Sequence, residues 1–150
     1  MKIRSADRED IADLLNLYRH LDPADKETTV EDGLRNLELL KLYPGSTILV
    51  GCLGEAIVAS CTLVVIPNLT RGAAPYALIE NVVTDARFRS RGYGKAVLKH
   101  ATEAAWHAGC YKVMLLTGSK RPEVLKFYQD AGFEQNKTGF QIRRLPPRAG

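Results

Sequence analysis

The hydrophobic period of this chain changes twice, and that change constrains the fold more than any other feature of the sequence. Before Ser46, apolar residues such as Ile11, Leu14 and Tyr18 recur at helical spacing. The chain then becomes rich in Val and Ile, with turn residues between short runs, which is typical of strands joined as an antiparallel meander. Beyond Thr84, helical and strand patterns alternate again. The sequence therefore predicts helices flanking a sheet.

Start and stop signals predict four helices. Thr28 and Glu31 precede the second of them, Gly109 closes a third that runs from Tyr93 to Ala108, and Pro122 begins the fourth. The predicted strands are Lys2–Ser5, Thr47–Val50, Ala56–Ile66, Tyr76–Thr84, Tyr111–Thr117, Phe133–Gln135 and Phe140–Arg144. The expected fold class is α/β, of the α+β kind, with a mixed, mostly antiparallel sheet of about seven strands and four flanking helices.

Length and composition predict a single domain over residues 1–150. The chain has 150 residues, of which 45% are apolar and 25% charged, as is usual for one globular domain. Its longest apolar stretch, Ala56 to Pro67, is shorter than the ~18 residues that a membrane span requires. The start lacks the apolar region of a secretory signal and the three cysteines form no paired framework, so we expect a soluble, cytoplasmic protein. The tail from Pro146 to Gly150 is expected to fray.

Charge is distributed unevenly between the two parts of the chain. Residues 1–85 carry 8 basic and 13 acidic side chains, whereas residues 86–150 carry 13 basic and 4 acidic ones. A positive surplus of this kind suits nucleic acid, a membrane surface or a phosphorylated small molecule. Composition alone does not choose among these anionic partners.

The segment Arg87–Lys95, which we call the basic loop, joins a predicted strand to a predicted helix. It carries four basic residues and no acid. Gly92 and Gly94 would let backbone N–H groups turn toward phosphate oxygens, and the helix start behind them adds further donors. The alternative interpretation is a solvated basic turn before a helix.

Two common nucleotide-binding motifs are excluded at this loop. A P-loop requires Ser or Thr after its lysine, and Lys95 is followed by Ala96. A dinucleotide fingerprint requires a third glycine where Val97 stands, and an acidic residue about 20 positions later, where residues 112–114 offer none.

The basic loop resembles a known family. Arg89-x-x-Gly92-x-Gly94 is similar to the [RQ]-x-x-G-x-[GA] motif of the GNAT superfamily of acetyl-CoA-dependent N-acetyltransferases, and the order of elements resembles that superfamily over the whole chain. Glucosamine-6-phosphate N-acetyltransferases are the most similar family within it. That similarity departs at Asn81, where an acidic residue is usual, and at 117–125, where the connection is longer. The segments that carry it are Ile79–Val83, Arg89–Lys95, Gly109–Val113, Phe127–Tyr128 and Gln141–Arg143.

The resemblance implies where a coenzyme would bind. The fourth and fifth strands of the superfamily splay apart, and the fourth offers its main chain to the pantetheine arm while the loop holds the pyrophosphate. It also implies a homodimer through the closing strands. The implied coenzyme-binding residues are Asn81, Val82, Val83, Thr84, Arg89, Ser90, Arg91, Gly92, Tyr93, Gly94 and Lys95.

Two residues are candidates for the reacting groups. Glu80 is the only acid between Glu55 and Asp85, and a Glu at this place in the superfamily removes the amine proton, directly or through water. Tyr128 matches a family tyrosine that protonates the departing thiolate. The alternatives are a solvent-facing strand Glu and a core aromatic.

The resemblance therefore implies acetyl transfer from acetyl-CoA to a primary amine by direct attack, and it favours a small acceptor that can be phosphorylated or anionic. Neither a metal, a nucleic acid nor a membrane is expected as a partner, since the three histidines are scattered and only 7% of residues are aromatic. The alternatives are a protein N-acetyltransferase and a non-catalytic acyl-CoA-sensing domain. Four further basic residues are weaker candidates for anion or acceptor contacts: Arg71, Lys120, Arg121 and Arg143.

Overall fold

The computed structural model describes residues 1–147, which form an α+β fold with four α-helices and one sheet of five strands. The strand order is β1-β2-β3-β4-β5, with β1 to β4 antiparallel and β5 joined to β4 in parallel. The elements are β1 (Lys2–Ser5), α1 (Ile11–Tyr18), α2 (Val30–Lys41), β2 (Thr47–Leu53), β3 (Ala56–Ile66), β4 (Tyr76–Thr84), α3 (Tyr93–His107), β5 (Val113–Leu115) and α4 (Pro122–Asp130).

The prediction of about seven strands is wrong for the described residues. The segments 133–135 and 140–144 carry no strand, and β5 is three residues long rather than seven. Phe140 is 92% exposed and Ile142 is fully exposed, so their alternating apolar pattern finds no face to bury against. A strand requires a hydrogen-bonding neighbour, and none accompanies this segment. Residues 148–150 of the predicted frayed tail lie outside the described residues.

The four predicted helices are confirmed, with small shifts at their ends. The N-cap of α2 is Thr29 rather than Thr28, because the Thr29 hydroxyl accepts from the N–H of Asp32 at 3.1 Å. Gly109, at φ +87°, follows the end of α3 in the left-handed conformation predicted for it. The N–H of Cys110 donates to the carbonyl of Ala105 at 3.0 Å, which completes the cap.

The sheet is covered by helices on both faces. Helix α3 buries Leu98 and Ala101 against Leu63 and Ile79 of the sheet. Helix α1 covers the other face, where Leu14 packs in a second cluster with residues of β2 and β4. The three cysteines are buried in these clusters and unpaired: Cys52, Cys61 and Cys110. These two layers hold β4 firmly at the centre of the fold, beside the basic loop.

Candidate active site

Strand β4 changes its register in the middle. Glu80 pairs with Thr62 of β3, whereas Val83 pairs with Ser60. Between these two pairs β4 advances by three residues and β3 by only two. The extra residue forms a β-bulge, and Asn81 there has a φ of +53°. Asn tolerates this left-handed conformation better than most residues do. Because the side-chain alternation of a strand has period two, the bulge reverses which later residues face each helix layer.

The bulge decides which side chains near the site are buried. Before it, Ile79 faces the α3 layer and is 1% exposed, while Glu80 is exposed. After it, Val82 packs toward the α3 layer and Val83 is buried in the α1 cluster. Without the extra residue Val83 would face the opposite layer. Glu80 therefore stands at the point where the strand stops being regular.

The pairing between β4 and β5 also ends here. Its last pair is Ile79 with Leu115, and β4 continues for five more residues to Thr84 without β5 beside it. Over that stretch β4 pairs with β3 alone among the described residues. The backbone of its outer edge is thus available to something other than a strand.

Helix α3 begins at the end of the basic loop without a capping side chain. Its N-cap is Gly92, at φ +83°, and Ser90 before it is also left-handed at φ +61°. Apart from atoms of the adjoining residues, no heavy atom lies within 4 Å of the place where a Gly92 side chain would start. The first N–H groups of a helix have no partner within the helix, and they carry the positive end of its dipole. This helix start is suited to an anion.

Gly94 has a different role from the one that its motif suggests. It is buried, and a Cβ there would lie 3.0 Å from the Thr84 hydroxyl and 3.1 Å from Cζ of Phe127. The missing side chain therefore allows the start of α3 to touch both β4 and α4. Because Tyr128 follows Phe127 in α4, this contact also places Tyr128 near the place where α3, β4 and α4 meet.

The basic loop keeps only part of its charge free. Arg87 binds the buried carboxylate of Asp85 through Nη2 at 2.8 Å and Nε at 3.2 Å, and this hydrogen bonding lowers the pKa of Asp85 to about 2. Arg89 donates to the carbonyls of Thr84 at 3.2 Å and His20 at 3.4 Å, so it ties the loop to β4 and to the chain after α1. The other two bases of the loop, Arg91 and Lys95, are exposed and form no ion pair within residues 1–147, although Lys95 is near enough to Asp130 to lower the pKa of that carboxyl slightly.

Tyr128 lies near enough to Glu80 for the carboxylate to affect the pKa of its phenol. Tyr128 packs against the α3-side core, with its ring centroid 5.0 Å from that of Phe127. Burial raises the pKa of the Tyr128 phenol, and the negative charge of the Glu80 carboxylate raises it further. The phenol is therefore protonated at neutral pH and can donate a proton. Burial also raises the pKa of Cys61 to about 12, which keeps that thiol neutral.

Two residues beside the basic loop, His20 and Asp85, were not identified as site residues from the sequence. His20 accepts from the N–H of Ala86 at 3.3 Å, and its Nε2 lies 3.8 Å from Asp85. Asp85 accepts from the N–H of Arg87 at 2.9 Å, as Asp commonly does in a turn. An Asp directly after a strand is a local signal that could have predicted this turn. The contact with His20 spans 66 residues and has no such signal.

The weaker basic candidates make other contacts. Arg121 lies 3.5 Å from Glu123, and Arg143 donates to the carbonyls of Leu145 and Pro146. Lys120 is exposed, and Arg71 lies over the ring of Tyr111.

Two other kinds of feature are absent from the part of the chain that the structure describes. None of its helices combines the length and the apolar character that a membrane span requires. Residues 1–147 hold no group of three or more His, Cys, Asp or Glu side chains arranged to bind a metal ion.

Known proteins resemble this chain over most of its length. The profile described as the acetyltransferase (GNAT) family matches residues 10–133. The glucosamine 6-phosphate N-acetyltransferase of Trypanosoma brucei brucei is 32% identical over 144 residues, which cover 95% of each chain.

Solved structures agree with that assignment. A protein of Agrobacterium tumefaciens str. C58, assigned as an acetyltransferase, is 49% identical and superposes with a TM-score of 0.90 over 96% of this chain and 100% of its own. The glucosamine-6-phosphate N-acetyltransferase from Arabidopsis thaliana is 26% identical, with a TM-score of 0.85 over 95% of this chain and 97% of its own. The chain thus belongs to the acetyltransferase (GNAT) family and is an acyltransferase.

Proposed function

We propose that this enzyme transfers an acetyl group from acetyl-CoA to the primary amine of a small anionic metabolite. The observation that carries the proposal is one junction: an uncapped, acid-free helix start lies against the half of β4 that β5 leaves unpaired. The first feature suits phosphate and the second suits the amide groups of a pantetheine arm. The two features adjoin through the contact of Gly94 with Thr84.

In this proposal the coenzyme lies along two segments. The pyrophosphate is held by main-chain N–H groups of residues 89–95, with Arg91 and Lys95 supplying free positive charge. The pantetheine arm and the thioester carbonyl use the main chain of residues 81–84, which offers donors for the oxyanion of the tetrahedral intermediate. Arg89 contributes by holding the loop against β4.

The reaction requires two proton movements. An amine with a pKa near 10.4 costs about 4–5 kcal/mol to deprotonate at pH 7, and we assign removal of that proton to Glu80, directly or through water. The amine nitrogen attacks the acetyl carbon, the carbon–sulfur bond breaks, and Tyr128 gives its proton to the sulfur. The raised pKa of Tyr128 keeps the proton available until the thiolate forms.

The acceptor is assigned by similarity and charge. Relatives named glucosamine 6-phosphate N-acetyltransferases match over 95% and 88% of the chain, which makes that amino sugar phosphate the first acceptor to test. A peptide amine is the competing acceptor. The buried, unpaired cysteines suit the reducing cytoplasm, which we propose as the location.

We also propose that the enzyme acts as a homodimer. Phe140, Ile142 and Leu145 are 92%, 100% and 76% exposed, and the outer edge of β5 has no neighbouring strand within residues 1–147. Pairing the segment 140–144 with the sheet of a second copy would bury these side chains and give the predicted closing strands their missing neighbour. Sedimentation of the wild type and of a Phe140→Ser, Ile142→Ser double variant tests this. A monomeric wild type contradicts it.

The central experiment measures release of coenzyme A thiol with glucosamine 6-phosphate, glucosamine and short peptides. The proposal predicts turnover of acetyl-CoA that depends on the amine, with the sugar phosphate preferred. If no amine raises thiol release above hydrolysis, the catalytic proposal is wrong and a sensing role is favoured. If only peptides are acetylated, the acceptor assignment is wrong.

A matched pair of glycines tests the coenzyme site. Gly92 and Gly109 flank the two ends of α3 with φ of +83° and +87°, and both have open space where a Cβ would stand. Replacement of either by Ala adds the same left-handed strain, about 1–2 kcal/mol. Only Gly92→Ala should weaken acetyl-CoA binding in calorimetry, because only that end faces the proposed phosphate. Equal affinities of the two variants would remove the basic loop from the coenzyme site.

A further inference from the structure

The chain just after α1 contacts the turn that leads from β4 into the basic loop. His20, two residues beyond α1, accepts a hydrogen bond at its Nδ1 from the N–H of Ala86, at 3.3 Å. The main-chain carbonyl of His20 accepts from Nη2 of Arg89 at 3.4 Å. The same guanidinium donates through Nε to the carbonyl of Thr84 at 3.2 Å. His20 therefore holds the chain at the residue before the basic loop and again within the loop.

The contact with Ala86 requires a neutral imidazole. A ring nitrogen that accepts a hydrogen bond carries no proton, so the proton of the neutral ring is on Nε2. That nitrogen lies 3.8 Å from Oδ2 of Asp85, which is buried. Histidine is the residue type that changes its charge between pH 5 and 8. A second proton, on Nδ1, would end the hydrogen bond from Ala86, because two donors would then face each other.

The groups around this ring come from three elements and line a polar cavity of about 260 Å³. The charged groups are Asp13 of α1 and, after β4, Asp85 and Arg87. The start of β3 contributes Ala56 and Ile57, which are apolar. The side chain of His20 is 31% exposed. Protons can therefore reach the ring from solvent.

Both oxygens of Asp85 are already hydrogen-bonded to Arg87. Its Oδ1 accepts from the N–H and from Nε of Arg87 at 2.9 and 3.2 Å, and its Oδ2 accepts from Nη2 at 2.8 Å. A charged imidazole 3.8 Å from Oδ2 would compete with this guanidinium for the same oxygen. Protonation of His20 would thus disturb two contacts at the start of the basic loop: the hydrogen bond from Ala86 and the ion pair of Arg87 with Asp85.

We propose that His20 is a positioning residue for the coenzyme, whose neutral ring fixes the entry to the basic loop and whose protonation lowers the affinity for acetyl-CoA. Its two hydrogen bonds to this region span 66 and 69 residues of the chain. A loop that is already held in one conformation binds its ligand without the entropy loss of being ordered. The inference rests on the proposed function, because it takes the basic loop as the site of the coenzyme phosphates.

Three replacements of His20 separate its two ring nitrogens. Asn places its amide near the position of Nδ1, where the oxygen can accept from Ala86, and it does not titrate. Gln is longer and places its amide near the position of Nε2, toward Asp85, while Ala removes both groups. Calorimetry with acetyl-CoA at pH 8 should give a Kd near the wild-type value for His20→Asn. The Kd should rise about 3- to 10-fold for His20→Gln and His20→Ala, as expected for one lost hydrogen bond.

Two results at pH 8 would overturn the proposal. One is wild-type affinity in His20→Ala, which would show that the ring has no part in coenzyme binding. The other is a loss in His20→Asn as large as that in His20→Ala, which would show that an acceptor at the position of Nδ1 is not what matters.

The pH dependence of Kd is the measurement that a purely structural role would not change. Between pH 8 and pH 5.5 the wild type should lose about 3- to 10-fold more affinity for acetyl-CoA than His20→Asn, which keeps its acceptor at every pH. Titration of the coenzyme phosphates affects both proteins equally and cancels in this comparison. The matched control is His107→Asn, since His107 is exposed at the other end of α3, and it should follow the wild type. Parallel curves for the wild type and His20→Asn, or a wild type that binds relatively more tightly at low pH, contradict the proposal.

The amide of Ala86 reports the contact directly, without coenzyme. In ¹H–¹⁵N spectra its resonance should move between pH 8 and pH 5.5 in the wild type and remain in place in His20→Asn. A resonance that does not move in the wild type would also overturn the proposal.

Gly92→Ala, titrated with acetyl-CoA alongside the His20 variants, separates this inference from the proposed function. If Gly92→Ala weakens binding and His20→Ala does not, the role of His20 is wrong while the coenzyme site stands. If neither weakens binding, the coenzyme site is wrong and the role of His20 falls with it. None of these measurements uses an amine acceptor, so their outcome is independent of which amine, if any, is acetylated.

Discussion

The two halves of β4 differ in what surrounds them. Residues 77–79 pair with strands on both sides, and Ala77 and Ile79 are buried beneath α3. Residues 80–84 pair on one side, contain the bulge at Asn81, and adjoin the basic loop. The backbone and inner side chains of the first half are already engaged in strand pairing and in the core, so they contribute stability. The second half has backbone N–H and C=O groups on the β5 side that are not used in strand pairing, so they can bind a ligand. The core around the first half fixes the position of these groups.

We call residues 80–84, which lack β5 as a neighbour, the open half of β4. Replacement of Glu80 by Gln should reduce activity more than any other change proposed in this half. The shape is preserved and the proposed base is lost, so kcat/KM for a good amine should fall by roughly 10²–10⁴ near neutral pH. Unfolding free energy and acetyl-CoA affinity should not change, since the Glu80 side chain is exposed and makes no hydrogen bond with the side chains or backbone of residues 1–147. Full activity with an unchanged pH profile would reduce Glu80 to an ordinary strand residue.

Replacement of Ile79 by Ala, one position earlier, should have the opposite outcome. Ile79 is 1% exposed in the α3-side core, and truncation of such a side chain costs about 2–5 kcal/mol of unfolding free energy. Denaturant unfolding measures that loss, and kcat per folded molecule should remain near the wild-type value. A variant that keeps its stability but loses activity would break the division between the two halves of β4.

Tyr128→Phe tests whether α4 contributes a proton donor to the reaction as well as packing. The ring and its packing on Phe127 remain, and only the hydroxyl is removed, so kcat should fall by about 10²-fold with little change in acetyl-CoA affinity. Thioesters with better leaving groups should lose less. An unchanged kcat would assign Tyr128 to packing alone.

A change at Asp85 should give the smallest effect of the four. Although Asp85 follows directly after the open half of β4, we expect the change to lower the free energy of unfolding rather than activity. Its pKa is lowered to about 2 by hydrogen bonds from Arg87, against 3.8 for an unperturbed Asp. The folded state therefore gains stability above pH 4 and loses it as the pH falls through 2. Since Arg87 is 79% exposed, solvent screening limits the gain to about 1–2 kcal/mol.

Unfolding curves from pH 7 to pH 2 measure this contribution. Asp85→Asn should be less stable than the wild type at pH 7, and the two should converge at low pH. A constant difference across the range would show that the carboxylate charge has no part in it.

Local patterns predicted much of the fold correctly. The bounds of β3 and β4 agree with the sequence patterns, and all four helices are present, because turn residues, caps and hydrophobic period are properties of neighbouring residues. The closing strands at 133–135 and 140–144 were wrong for the described chain. Their pattern is that of strands, but a strand also needs a neighbour, which no local pattern supplies.

The candidate site divides in the same way. The basic loop, the isolated Glu80 and the Phe127–Tyr128 pair could be identified from the sequence, because charge, glycine and spacing are visible along the chain. The bulge at Asn81 could not, since it is defined by the pairing of β4 with β3. Neither could the contact of Gly94 with Thr84 and Phe127, which brings three elements together.

What the sequence by itself determined is therefore the type of each element and the chemistry each one carries. Only the tertiary structure decided which of those groups share a place: Lys112 and Arg71 around Tyr111, Arg89 on the carbonyls of Thr84 and His20, and Glu80 at the end of the β4–β5 pairing. The physical reason is range. Propensity, capping and periodicity act over a few residues, whereas strand register and side-chain packing depend on partners distant in the chain.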